Sequence, residues 1–239
     1  MSPYRLYLES GPKRRKTMVH VPDLLGCVAV GPTTEGALQA TPAAIQAFRR
    51  FLRRHGEGEL AADGEGVEIV EHVTEGAWLG NGSPYLNFTP DLEPLDSPEL
   101  ERLLGRFRAL HGELGAWAGS QSGERLDAPP AGGGRSGRGV LMHALGAAGP
   151  YLAAALGAAP GFSRTCAQAE RGELELEAAF TLVGRLATER ALGTSAAERH
   201  QVRERGGTKR TLRKAVRRML EHDWEHLAEL ARRQGGPPL

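Results

Sequence analysis

Residues 211–230 read TLRKAVRRMLEHDWEHLAEL, and the rest of the chain is organised around this stretch. Its composition is strongly helical, and a spacing of four brings His222 and His226 onto one helical face. Ala215, Met219, His222 and His226 form a stripe flanked by Leu212, Val216, Leu220, Leu227 and Leu230, so the imidazoles are expected to point inward. Two inward imidazoles at this spacing can clamp a divalent metal, because each offers a neutral nitrogen to the ion. An isolated H-x-x-x-H is equally compatible with two histidines that merely pack. The remainder of the chain has to supply the third ligand.

Length and composition bound the answer. At 239 residues and 40% hydrophobic content, the chain can form two domains or one large one with real cores. Thirty basic residues against 29 acidic, a net charge of +1, argue against a protein built mainly for nucleic acid or an anionic membrane. An aromatic content of 5% weakens any base-stacking platform. Cys27 and Cys166 are far apart and form no CxxC pair, which predicts a reduced, cytoplasmic protein. The longest apolar stretch, residues 140–160, is mostly alanine and glycine and contains His143 and two prolines, so no membrane span is expected.

The first third reads as short strands at residues 4–8, 17–21 and 27–30, bounded by Gly or Pro. A helix follows, capped by Thr33 or Thr34 and running to about Arg54, with Thr41-Pro42 expected to interrupt it. A Gly/Glu-rich turn leads to a fourth strand at 66–73. The order β-β-β-α-β predicts an α+β unit over residues 1–75, its helix on one face of an antiparallel sheet. Cys27 reads as a small buried residue rather than a nucleophile, since nothing near it would activate a thiolate.

Residues 76–95, rich in Gly, Asn and Pro but carrying Trp78, Tyr85, Leu86 and Phe88, read as a linker that packs along a domain surface. Asp96 or Ser97 caps the next helix, with Pro98 at its start and Leu100, Leu103, Leu104, Phe107, Leu110, Leu114 and Trp117 at helical spacing. After PPAGGG at 129–134, Ser136 caps a second helix holding His143 and continuing to Leu156. Residues 157–171 read as a turn-rich crossing, 174–192 as a third helix and 208–233 as a fourth. Four amphipathic helices over residues 96–235 predict an all-α four-helix bundle. Its core could collect His143, His222 and His226. Three histidines and an open position form a potentially catalytic metal site, suited to Zn²⁺ or Ni²⁺ before Mg²⁺.

The stretch 19–48, VHVPDLLGCVAVGPTTEGALQATPAAIQAF, resembles the HicB-like antitoxin domain. The resemblance rests on Pro22-Asp23-Leu24, Gly26-Cys27, Gly31, Thr33 and Ala37-Leu38, and departs from the family at Leu25, Gly36 and Thr41-Pro42. It implies a degenerate RNase-H-like small domain without nuclease activity. Residues 96–233 resemble the DinB-like (YfiT-like) family of metal-dependent four-helix bundles. Here the resemblance rests on the turn Pro129 to Ser136, on His143 seven residues after it, and on the H-x-x-x-H of the last helix; Arg135 stands where the family has tryptophan.

The DinB-like resemblance implies a metal-dependent transferase or hydrolase acting on a small molecule, with a low-molecular-weight thiol or water as nucleophile. Arg135 could then steer a substrate carboxylate, although a solvent-facing arginine is the simpler expectation. The rival reading is a regulatory, antitoxin-like binding protein that meets a protein partner through its first domain while the bundle senses a metal or metabolite. Either reading is compatible with a homodimer. His222-Asp223-Trp224-Glu225-His226 differs from the zinc-protease H-E-x-x-H by Asp for Glu, and too little chain follows it for a downstream ligand and subdomain. His20, His55, His72, His111 and His200 have no matching partners in the sequence and read as surface or packing residues. The basic run Arg203, Arg205, Lys209, Arg210, Arg213, Lys214, Arg217 and Arg218 reads as the solvated face of the last helix.

Overall fold

The computed structural model describes residues 2–57 and 66–239; the Gly/Glu-rich turn expected before the fourth strand lies largely outside them. The chain opens with β1 (Tyr4–Ser10), β2 (Arg15–His20) and β3 (Val28–Thr33), continues into α1 (Thr34–Arg54) and returns as β4 (Val67–Val73). Thr33 caps α1 by accepting from the Gly36 amide at 3.1 Å. Thr41-Pro42 does not interrupt the helix. The Thr41 hydroxyl donates back to the Ala37 carbonyl at 2.8 Å, and the helix runs on through the proline to Arg54.

The sheet order is β3-β2-β1-β4. β1 pairs antiparallel with β2, and β2 with β3, but β4 lies parallel to β1, so the sheet is mixed rather than antiparallel. Leaving β3 at one edge, the chain crosses over through α1 and enters beside β1, which fixes the parallel direction. Leu8 and Val19 share one face; Tyr7 and His20, opposite each other in the ladder, share the other. Both faces of β1 are buried. Cys27 is fully buried as expected, and burial pushes its thiol far up.

Residues 76–95 pack rather than span. Leu79, Phe88, Asp91 and Leu95 are buried, and the Phe88 ring lies 5.3 Å from Tyr7 and 5.0 Å from His20. The helical region then runs α2 (Ser97–Ser120), α3 (Gly123–Asp127), α4 (Gly137–Leu145), α5 (Ala148–Leu156), α6 (Phe162–Glu170), α7 (Leu176–Leu192) and α8 (Ala196–Arg199), followed by the hairpin β5 (Arg203–Arg205) and β6 (Thr208–Arg210), and α9 (Leu212–Ala231). Three expectations change here. The second helix is broken at Gly146-Ala147 into α4 and α5, the crossing at 157–171 contains α6, and 208–210 is a strand, so the last helix starts at Leu212 under the cap of Thr211.

α2, α4 with α5, α7 and α9 pack around one core that is continuous with the core of the sheet unit. Helix α9 is central to it. Fifteen of its twenty residues are buried, so it has no broad solvated face. Lys214, Arg217 and Arg218, expected at the surface, are 2–4% exposed. Trp224 meets the Phe48 ring edge-on at 4.8 Å, joining α9 to α1. Gly26 has φ of +110°, and a Cβ there would lie 2.9 Å from the Phe48 ring and 3.2 Å from Leu220, so this turn can approach α9 only as glycine.

Buried ions join the sheet to α9. Arg217 donates to both oxygens of Asp91 at 2.6 and 2.9 Å and to Glu221 at 2.7 Å. Arg218 donates to Glu221 at 2.9 Å. His20, buried rather than at the surface, lies 2.8 Å from Glu221 through Nδ1 and 3.6 Å from Glu9 through Nε2. Burial alone would depress His20, but the two carboxylates outweigh it and hold its pKa above the ordinary histidine value. A protonated His20 balances the set, three carboxylates against two guanidiniums and one imidazolium.

Candidate metal centre

His222 and His226 stand one turn apart on α9, and α4 brings His143 across to them. The ring centroids form a near-equilateral triangle, 4.8 Å between His143 and His222, 4.9 Å between His143 and His226, and 4.5 Å between His222 and His226. One ligand atom from each lies within 4.8 Å of the others, and the Nε2 atoms of His143 and His222 are 3.1 Å apart. Two nitrogens bound to one tetrahedral ion at ordinary lengths sit about 3.3–3.4 Å apart. The donor set therefore fits a divalent ion with small side-chain adjustments.

Local sequence explains the placement. Ser136 caps α4 by accepting from the Gly139 amide at 3.1 Å, and His143 falls two turns into that helix with Val140, Leu141, Ala144 and Leu145 buried around it. His143 is exposed, whereas His222 and His226 are 7% and 6% exposed, so the cluster is closed on the α9 side and open to solvent at His143.

His143 and His222 are prepared as neutral ligands. Although its side chain reaches solvent, partial desolvation, followed by the neighbouring His222 and His226, pushes His143 down to about 4, and Arg135 adds to the shift. Burial also lowers His222. His226 donates from Nδ1 to Glu229 at 3.0 Å, and Arg233 holds the same carboxylate at 2.8 Å. The hydrogen bond from His226 brings the Glu229 carboxyl down to about 2. With Nδ1 engaged, His226 presents Nε2 to the cluster.

From the sequence, Asp223 reads either as a residue behind the ligands or as a solvent-facing one. Asp223 is neither solvent-facing nor placed as a general base; it is 1% exposed, its Oδ1 lies 3.9 Å from His222 Nδ1 and its Oδ2 lies 2.9 Å from Nε2 of His111. His111 is anchored in turn by Nδ1 donating to the Phe180 carbonyl at 3.0 Å. It is a buried packing residue. His55, His72 and His200 stay outside the cluster; the first two bond Glu113 and Ser10. The Tyr151 ring stands 6.3 Å from His222. A mainly apolar cavity of about 720 Å³ lies between β3, α1 and α9. None of the three histidines lines it, but Glu229 belongs both to its wall and to the hydrogen bond that orients His226.

Compared with known proteins, the chain matches no protein-family model, no curated protein and no solved structure.

Proposed function

We propose that His143, His222 and His226 bind one divalent metal, Zn²⁺ or Ni²⁺ before Mg²⁺, and that the protein is a metal-dependent transferase or hydrolase acting on a small molecule. The observation that carries this reading is the convergence of three imidazole nitrogens, two from a buried helix and one at an exposed position, with no carboxylate among the candidate ligands. Neutral nitrogen donors suit borderline ions, and an open coordination position is what separates a catalytic site from a closed structural one. A bound ion would supply Lewis acidity, letting a thiol or water act as nucleophile near neutral pH. The chain's own residues supply the rest. Glu229 orients His226, Asp223 and His111 stand behind His222, and exposed Arg135 faces an incoming anionic substrate. The three-histidine site supports placing residues 96–233 with the DinB-like bundles, and the β-β-β-α-β order supports placing residues 1–75 with HicB-like domains.

The test is metal stoichiometry. Protein loaded with Zn²⁺ or Ni²⁺ and desalted should carry one ion per chain by elemental analysis, and His226→Ala should carry none while keeping its far-UV helicity. Loss of metal from the wild type on desalting would overturn the assignment. In Co²⁺-loaded protein, a small thiol should add a sulfur-to-metal charge-transfer band. A protein that only senses the ion would bind metal without that band.

A further inference from the structure

We propose that a small cavity at the start of α9 is a chloride site, formed by Lys214, Arg218, Arg210 and Tyr151. It lies eight residues before His222 on the same helix and does not depend on the metal reading. The cavity measures about 20 Å³ and is further walled by Pro84, Ala154 and Ala155. That space admits one water-sized occupant, since a single water needs about 10–15 Å³ measured in this way. A phosphate or an organic carboxylate would not fit wholly within that space.

Two buried donors on its wall are unused. Lys214 is 4% exposed, and its Nζ has no hydrogen-bond partner. Arg218 is 2% exposed, and its Nε is likewise unpartnered. The carboxylates that could serve them are committed elsewhere, Asp91 to both ends of Arg217 and Glu221 to Arg217, Arg218 and His20. Three guanidiniums, Arg210, Arg217 and Arg218, act on Lys214 against the single opposing acid Asp91. Lys214 also sits in the first turn of α9, where the helix dipole adds positive potential. Burial and these cations bring the Lys214 amine down to about 7, so near neutral pH the pocket is poised between losing its proton and gaining an anion. A water could accept from both donors but would leave the ammonium charge uncompensated. A monatomic anion fits the space, accepts from Lys214 and Arg218 together, and neutralises the excess charge.

Thermal unfolding of the full chain in chloride and in gluconate, at matched pH and ionic strength, tests this directly. Chloride at about five times its dissociation constant should raise Tm by about 2–4 °C over gluconate. Lys214→Met, which replaces an unpartnered buried ammonium with an apolar side chain of similar length, should fold and show equal Tm in the two salts. A chloride dependence that persists in Lys214→Met would overturn the assignment. A second measurement needs no variant: crystals of the wild-type protein grown in bromide should show an anomalous peak in contact with Lys214 Nζ. Bromide absent from the cavity, together with identical Tm in chloride and gluconate, would show that the cavity holds water only.

Discussion

Glu229 touches His226 through one oxygen and Arg233 through the other, so it fixes both the tautomer and the rotation of a proposed ligand without belonging to the donor set. Replacing an orienting carboxylate of this kind lowers metal affinity about 10–100-fold while the ligands themselves stay in place. Glu229→Gln should therefore show that loss in a competitive chelator titration, with unchanged far-UV circular dichroism; an unaltered affinity would mean that Glu229 only pairs with Arg233. The three histidines could be singled out in the sequence because the i, i+4 spacing is local and the Pro129 to Ser136 turn sets the start of the second helix. The pairing of Asp223 with His111 could not. They meet across 112 residues of chain, and no periodicity distinguishes a buried aspartate facing a histidine from one facing water.

At the scale of elements, α9 was legible as a helix but not as the central one. Its stripe of Ala215, Met219, His222 and His226 gave the inward face, and the basic run suggested an outward face opposite it. Arg217 instead makes three hydrogen bonds to Asp91 and Glu221 and lies over the Phe88 ring inside the protein, and the i, i+4 pair with Glu221 was the one sequence signal for this. Removing one member of a buried ion pair leaves the other desolvated and uncompensated, which typically costs about 3–5 kcal/mol. Arg217→Met should lower the free energy of urea unfolding by about that amount, since it strands Asp91 and removes one of the three cationic partners of Glu221. A change below about 1 kcal/mol would place these ions outside the stabilising interface. The hairpin before α9 was missed although Gly206-Gly207, with φ of 59° and 72°, is a recognised two-residue turn between short strands; the basic residues around it were read as part of the helix. α6 was missed because Pro160-Gly161 and Gly172 crowd a segment of only nine residues.

Across the whole molecule, the sheet unit, the packed segment 76–95 and the helical region meet at His20, and this gives the fold a pH dependence whose sign can be worked out. His20 has a raised pKa in the folded state. Its contribution is therefore fully present below the unfolded value of about 6.5 and is lost as pH rises from there through the folded pKa, at up to about 1.4 kcal/mol per pH unit. The site histidines His143 and His222 have lowered values, so above about pH 6.5 they are neutral in both states and drop out. Lys214 opposes His20. Its folded value of about 7 lies below that of the unfolded chain, so the unfolded state holds more protons above pH 7 and stability rises with pH. The two effects are separated by comparing wild type with His20→Gln, because Lys214 is common to both. The stability advantage of the wild type, measured by urea unfolding in gluconate, should be largest at pH 6 and should shrink steadily from pH 6.5 to 8.5. If that difference stays flat with pH, His20 is not charged between Glu9 and Glu221, and the junction between sheet and α9 is held by the arginine pairs alone.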